Sequence, residues 1–225
     1  MNSAILVAAG KGTRMGADKL FLQLAGCPVI AHTWRKFNDA KCVDEIILVV
    51  ADGRQKEFEK LATQFHFKKK FEIIVGGAER QDSVWNGLEA LSPKMGIVAI
   101  HDAARPCITE ELMNATISAA RETGAAVAAQ PMTDTIKESA DGKQIDRTLD
   151  RSRLWSVQTP QTFRVEVIRR ALAEVRSRGL SVTDDTAACE LIDQPVRLVV
   201  TPQPNPKVTR PEDLPYVGLL LRNTI

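Results

Sequence analysis

Three cations, Lys11, Arg14 and Lys19, share one stretch with Gly10, Gly12 and Gly16, directly after the apolar run Ile5-Leu6-Val7 and the small pair Ala8-Ala9. Glycines let a backbone turn with φ > 0 and come close to a ligand. Backbone N–H groups and charged side chains on such a loop can wrap phosphate oxygens together. The chemistry suggested is therefore the binding of a polyanion. Two familiar phosphate loops do not fit. Lys11 is followed by Gly12 where the P-loop needs Ser or Thr, and Met15 stands where the dinucleotide fingerprint needs its third glycine. A plain glycine-rich turn between a strand and a helix is the alternative reading of the loop alone.

Other residues with chemical potential also follow apolar runs. Gly76-Gly77-Ala78-Glu79-Arg80-Gln81-Asp82-Ser83 follows Val75, His101-Asp102-Ala103-Ala104-Arg105-Pro106 follows Ile100, and Asn205-Pro206-Lys207-Val208-Thr209 follows Val200. A lone carboxylate at a strand end, Asp102, suits Mg²⁺, which takes one or two carboxylates plus water and substrate phosphates. The same Asp102 could instead cap a helix or pair with Arg105. His101, at a buried strand end, reads as structural. Asp184-Asp185 could be a metal pair, but Thr183 or Asp184 capping a helix is the preferred reading. Ser83 has no evident base and no G-x-S-x-G occurs, so an activated nucleophile is not indicated. Cations with one metal carboxylate suit direct phosphoryl or nucleotidyl transfer, in which the protein aligns reactants and neutralises charge.

The elements that must position these residues alternate. Strands are predicted at Ile5–Val7, Glu45–Ala51, Phe71–Val75, Gly96–His101, Ala125–Ala129 and Val196–Val200. Helices are predicted from Pro28 to Phe37, Gln55 to Phe67, Ser83 to Leu91, Glu110 to Thr123, Val165 to Arg178 (closed by Gly179) and Thr183 to Leu191. A last helix opens near Thr209, with Glu212 in capping-box spacing. Apolar runs without polar alternation suit strands buried on both faces. The expected fold is α/β and Rossmann-like, a mainly parallel twisted sheet with helices on both faces. In such sheets ligands bind beyond the carboxyl ends of the strands, where all four motifs would converge. The rhythm breaks at 133–157, where Asp141-Gly142 reads as a two-residue hairpin turn. A polar β-arm there projects from the sheet and needs something to pack on, for which a dimer partner is suited; a solvated arm is the alternative reading.

At 225 residues, residues 1–225 are expected to form one domain with a dimerisation arm at about 133–157. A net charge of +2 gives no reason to expect nucleic acid or an anionic membrane as partner. Cys27, Cys42, Cys107 and Cys189 are widely spaced, which argues against a zinc site or a disulfide framework. No signal segment opens the chain and no apolar stretch is long enough to span a membrane, so a cytoplasmic protein is expected.

The loop from Ala8 to Lys19 resembles the signature of nucleotidyltransferases that make activated sugars and polyols. Gly76-Gly77 with Arg80 and Ser83, the 101–106 motif, Asp134-Thr135, Thr159-Pro160-Gln161 and the 207–213 segment narrow the resemblance to the 2-C-methyl-D-erythritol 4-phosphate cytidylyltransferase family of the non-mevalonate isoprenoid pathway. The match runs end to end in collinear order. It implies CTP and a polyol phosphate as substrates, a CDP-polyol and pyrophosphate as products, and Mg²⁺. It further implies that Arg14, Lys19 and Lys207 act on the reacting phosphates, that Asp102 binds the metal, and that Ala8, Ala9, Gly10, Gly12, Gly77, Arg80, Ser83 and Ala103 receive CTP. Thr135, Arg151 and Thr159 match acceptor positions, the first two on an arm that reaches across a homodimer in the family. Leu20 and Ala78 depart from the family pattern peripherally, and Gln203-Pro204 stands where some members carry an acid near the metal. The chain ends at Ile225, before the cyclase domain fused onto some relatives. Related enzymes that load ribitol 5-phosphate share many motifs and are the alternative for the acceptor. An NAD-type dehydrogenase with Asp52 on the ribose is the more distant alternative.

Overall fold

The computed structural model describes residues 1–10, 18–201 and 203–222. Its centre is β1 (Asn2–Ala8), paired in parallel with β4 (Glu45–Val50) on one side and β6 (Ile97–Asp102) on the other. The missing polar alternation in these strands has a direct cause. Ala4, Leu6 and Ala8 pack beneath α1 (Val29–Asp39), α2 (Gln55–Gln64), α4 (Glu110–Thr123) and α7 (Asp213–Arg222). Ile5, pointing the other way, packs against α3 (Arg80–Glu89), α5 (Val165–Ser177) and α6 (Asp185–Glu190). With both faces covered, the run from Ala4 to Ala8 is apolar at every position.

Beyond β4 lies β5 (Lys70–Val75); beyond β6 lie β10 (Trp155–Arg164), β7 (Ala125–Pro131) and β11 (Arg197–Val200). The seven-stranded order is β11-β7-β10-β6-β1-β4-β5. Only β10 runs antiparallel, against both β6 and β7; the other neighbouring pairs are parallel. The α/β, mainly parallel expectation holds, and β10 is the element the sequence reading missed. Pro160 and the polar run Gln158, Thr159, Gln161 and Thr162 look like a loop, yet Thr159, Gln161 and Thr162 are buried in the sheet. The small ladder of β2 (Gln23–Leu24) and β3 (Cys27–Pro28) was also unforeseen.

Two local expectations are corrected. The last helix does not use a Thr209–Glu212 box. It starts at Asp213, whose Oδ2 accepts from the N–H groups of Thr209 at 2.7 Å and Arg210 at 2.8 Å. The arm does form an exposed two-stranded ladder, β8 (Lys137–Glu138) with β9 (Arg147–Thr148), but not through a two-residue turn. Residues 139–146 close it as a longer loop, in which Asp141 Oδ1 accepts from the N–H groups of Lys143 and Gln144.

Helix α3 lies so close to the sheet that a Cβ on Gly87 would stand 2.9 Å from Ile5 Cγ2 and 3.2 Å from Val49 Cγ2. These atoms belong to stiff β-branched side chains in the central strands. Gly87→Ala should gain roughly 1 kcal/mol of helix propensity and lose about 1–3 kcal/mol to overpacking. A net destabilisation in urea unfolding is expected; a stabilised variant would show that α3 can lift off the sheet at little cost.

Candidate active site

The order of the strands places a switch point between β1 and β6, because the chain winds outward from β1 toward β5 and then returns to the other side of β1. A crevice forms beyond the carboxyl ends of strands at such a point. Here it is a cleft of about 330 Å³ lined by the loop after β1 (Ala8, Ala9, Gly10, Lys19, Leu20), the loop after β5 and the start of α3 (Gly77, Ala78, Glu79, Arg80, Ser83), the end of β6 (Asp102, Ala104) and Lys207. All four strand-end motifs meet there.

Small residues are demanded by close approach. A Cβ on Gly76 would lie 2.5 Å from Ala9 Cβ, and one on Gly77 would lie 2.2 Å from Asp82 Cβ. Gly10 differs from expectation: its φ is not in the positive region, and a Cβ there would meet nothing within 4 Å. Its lack of a side chain leaves room in the cleft instead. Ser83 is buried, and its hydroxyl ties its own loop, accepting from Gly77 N–H and donating to the Glu79 carbonyl, both at 3.1 Å. Asp82 Oδ2 accepts from Glu79 N–H at 3.1 Å, which starts α3 at Arg80, earlier than the expected Ser83. Lys19 sits in a turn held by Asp18, whose Oδ1 accepts from Leu20 N–H and whose other oxygen pairs with Arg54.

Asp102 is the electrostatic centre. Lys207 Nζ lies 2.7 Å from its Oδ2, and the Nε atoms of Arg80 and Arg105 each lie 3.7 Å from one of its oxygens. Burial opposes ionisation, but Lys207, then Arg80 and Arg105, outweigh it and hold the carboxyl down at about 2. The pairing with Arg105 weighed as an alternative is thus present together with the exposure of Asp102 to the cleft. The loop that carries Lys207 is stitched to β6 and β10: Arg105 Nη1 donates to the Asn205 carbonyl at 2.8 Å, Val208 N–H to the Ala104 carbonyl at 2.8 Å, and Asn205 Nδ2 to the Thr159 carbonyl at 2.8 Å.

His101 is structural in its contacts. It is fully buried, with Nε2 against the Arg105 carbonyl and Nδ1 against Thr159 Oγ1, each at 3.1 Å. The same Thr159 hydroxyl accepts from Asp102 N–H at 3.1 Å. Thr159 therefore lies behind Asp102, and not on the open face of the cleft. Ala103 is likewise buried, its carbonyl accepting from Thr33 Oγ1, while Ala104 lines the cleft. Thr135 and Arg151 are exposed on the arm and line no part of the cleft of their own chain; Arg151 Nη1 donates to the Thr133 carbonyl at 2.6 Å. Arg14 and Gly12, with Lys11 and Gly16, lie outside the described residues. Asp184 caps α6, its Oδ1 accepting from Ala187 N–H at 2.9 Å, as preferred. Missed from sequence were Asp185, which bonds Arg80 from within the core, and Gln161, which backs both aspartates.

A divalent cation fits this donor set in one way. Asp102 supplies a single hard, ionised oxygen ligand at the cleft, and the described residues contain no group of three His, Cys, Asp or Glu side chains able to enclose an ion. Gln203 and Pro204 are exposed and add no acid. Any ion would take most of its oxygens from substrate and water, as Mg²⁺ commonly does. The dehydrogenase alternative finds no support, since Asp52 is exposed and outside the cleft. No helix among the described residues is long and apolar enough to cross a membrane.

A mainly parallel α/β sheet with small-residue loops and converging cations at its switch point is a setting for phosphate chemistry. Residues 3–223 match the family described as IspD: 2-C-methyl-D-erythritol 4-phosphate cytidylyltransferase, and this match makes the chain a nucleotidyltransferase. The enzyme of that name from Alkaliphilus oremlandii is 44% identical over 215 residues, 94% of this chain and 91% of that one. The one from Pelotomaculum thermopropionicum is 42% identical over 223 residues, 98% and 94%. The crystal structure of 4-diphosphocytidyl-2C-methyl-D-erythritol synthase from Anaerococcus prevotii superposes with a TM-score of 0.87 at 30% identity, covering 99% of this chain and 96% of that one. The chain belongs to the 2-C-methyl-D-erythritol 4-phosphate cytidylyltransferase family.

The buried ring of His101 gives a pH signature. Desolvation, the largest influence, holds its imidazole down at about 4. Between that value and the ordinary one near 6.5 the unfolded chain binds a proton that the folded chain refuses, so stability falls as pH falls through this window. The full effect is roughly 3 kcal/mol. Asp102 adds a second, lower loss, as pH drops from the usual carboxylate range toward 2. Urea unfolding at pH 7, 5.5 and 4 should show the first decline, and the His101 ring should stay neutral by NMR down to about pH 4. Titration of that ring near 6.5 would show that it is solvated.

Proposed function

We propose that this chain transfers CMP from CTP to 2-C-methyl-D-erythritol 4-phosphate, giving 4-diphosphocytidyl-2-C-methyl-D-erythritol and pyrophosphate, as a cytoplasmic homodimer using Mg²⁺. The observation that carries this reading is the convergence of Lys19, Arg80 and Lys207 on one small-residue cleft around the ionised Asp102, in a chain of this family.

Both reactants are anions, so their mutual repulsion must be offset where they meet. In this reading Arg14 and Lys19 hold the triphosphate, and Lys207 completes the cationic surround of the α-phosphorus. An oxygen of the acceptor phosphate attacks the α-phosphorus in line. The new P–O bond forms as the α–β bridging bond breaks, and its electron pair departs with pyrophosphate. No proton transfer and no covalent enzyme intermediate are needed, so positioning and charge stabilisation supply the catalysis. Ala8, Ala9, Gly10, Gly12 and Gly77 leave room for the cytidine, and Ser83 and Ala103 shape the loops around it. Arg80 contributes a guanidinium edge to the nucleotide. Asp102 would hold the divalent cation, sharing its charge with Lys207; the ion, when bound, neutralises phosphate charge as a Lewis acid. Thr159 supports Asp102, while Thr135 and Arg151 receive the acceptor. The direct test is pyrophosphate release with each nucleoside triphosphate, paired in turn with 2-C-methyl-D-erythritol 4-phosphate and ribitol 5-phosphate. CTP with the methylerythritol phosphate should be fastest. A preference for ribitol 5-phosphate would reassign the acceptor, and no release with any pair would end the reading.

The arm carries a separate expectation. Its strands are exposed throughout, Ile145 is 65% exposed, and its apolar residues are too few for a core of their own. Packing against a second copy about a two-fold axis would make the exchange of arms reciprocal. Arg151 would then enter the partner's cleft, where its planar fork can grip a phosphate bidentately. Arg151→Ala and Lys19→Ala should each be nearly inactive alone. Mixed and allowed to exchange subunits, they should form heterodimers with one intact site and about half the wild-type activity. Verified exchange without recovery would place Arg151 in its own subunit's chemistry or outside it altogether.

A further inference from the structure

A carboxylate for which the reaction has no direct use stands behind the cleft. Asp185, the first residue of α6, is 0% exposed. Its Oδ2 accepts from Arg80 Nη1 at 2.8 Å, and its Oδ1 is buried with no hydrogen-bond partner. Its backbone N–H donates to Gln161 Oε1 at 2.9 Å, and Gln161 Nε2 donates to Asp184 Oδ2 at 2.8 Å. Asp184 caps the helix, so α6 does not need the Asp185 side chain for its start. A buried carboxylate with one oxygen unpaired costs stability. Among the described residues, the hydrogen bond to Arg80 is the one its side chain makes.

Arg80 is the link from this buried group to the cleft. It is the first residue of α3 and lines the cleft wall. Its guanidinium stands between two carboxylates from distant parts of the chain: Nη1 on Asp185, and Nε facing Asp102 Oδ1 at 3.7 Å. Without Asp185 the nearer anion would be Asp102. Arg80 would then swing fully onto it, in competition with Lys207, and its charge would be spent there.

We propose that Asp185 is a positioning residue for nucleotide binding: it holds Arg80 back from Asp102 and fixes the guanidinium so that its remaining edge is presented to CTP. This rests on the reading of the cleft as the nucleotide site. It also explains why the Asp184-Asp185 pair serves two tasks, one residue capping α6 and the next steering a cation across the sheet.

The test compares Asp185→Ala, Asp185→Asn, Arg80→Ala and the double variant Asp185→Ala/Arg80→Ala, by steady-state kinetics and by direct CTP binding. Asp185→Ala should raise the KM for CTP about tenfold or more, the scale of a lost charge-assisted hydrogen bond, with a smaller change in kcat and none in the KM for the acceptor. Asp185→Asn keeps an oxygen facing Arg80 and should recover part of the loss. The double variant should be no worse than Arg80→Ala, because Asp185 acts through Arg80. A lowered Tm with an unchanged KM for CTP would overturn the proposal, as would losses that multiply in the double variant. Should Asp185→Ala fail to fold, Asp185→Ser, which also removes the carboxylate, takes its place, and an unchanged KM for CTP there overturns the proposal equally. Loss of CTP binding in Arg80→Ala and Lys207→Ala, with none in Asp185→Ala, would overturn this proposal alone. Unchanged binding in both of the former would overturn the nucleotide reading of the cleft, and this proposal with it.

Discussion

The ion pair between Asp102 and Lys207 organises the open end of the sheet. A carboxylate at the end of a buried strand is costly, and three cations close to one another are costly too. Each solves the other's problem: Lys207, Arg80 and Arg105 keep Asp102 ionised, and Asp102 keeps them together. The cluster still carries an excess of positive charge, to which Lys19 adds from the facing loop. Such an excess in a concave, partly desolvated place draws in anions. Asp102 thus holds three cations from distant parts of the chain at one cleft.

The strand β10 joins this cluster to the rest of the molecule. Two of its buried polar residues, Thr159 and Gln161, tie other segments together. Thr159 bridges His101 and the Asp102 backbone, its carbonyl holds Asn205, and Gln161 braces the two aspartates at α6. The same strand begins at Trp155, directly after the arm. An antiparallel strand set into a parallel sheet thus gives one segment two ends with different duties. Its register shift between Val157 and Gln161 marks where the arm's support passes into the site's support.

How much of this could be read from the chain follows from where each residue's partners lie. The parallel strands were readable because two-sided burial leaves an unbroken apolar run, and the strand-end motifs were readable because glycines and cations seldom cluster without reason. The order α3 to α6 was also visible, apart from a turn at some ends. β10 was not, since buried polar residues look like loop residues until their partners are known. Asp185 was hidden for the same reason: nothing in its neighbours tells a buried carboxylate from a capping one, and its partner Arg80 lies far away in sequence. Ala103 and Ala104 are chemically alike, and only the pleat of the chain decides which of them faces the cleft. Thr135 and Arg151 carry their meaning, if the arm is shared, in a second copy of the chain.

Lys207 comes from near the end of the chain, and Asp102 from its middle. Chains are made from the N-terminus at roughly 5–20 residues per second, and early segments begin to organise before late ones exist. For much of its synthesis the nascent protein therefore holds the glycine loop, Arg80 and Asp102 without the cation and the 205–208 stitch that complete the cluster. The site is closed by a segment that emerges well after Asp102. The electrostatic balance of the cleft is thus set late, since the cationic surround of Asp102 is incomplete until residues 205–208 have been made and have docked on β6 and β10.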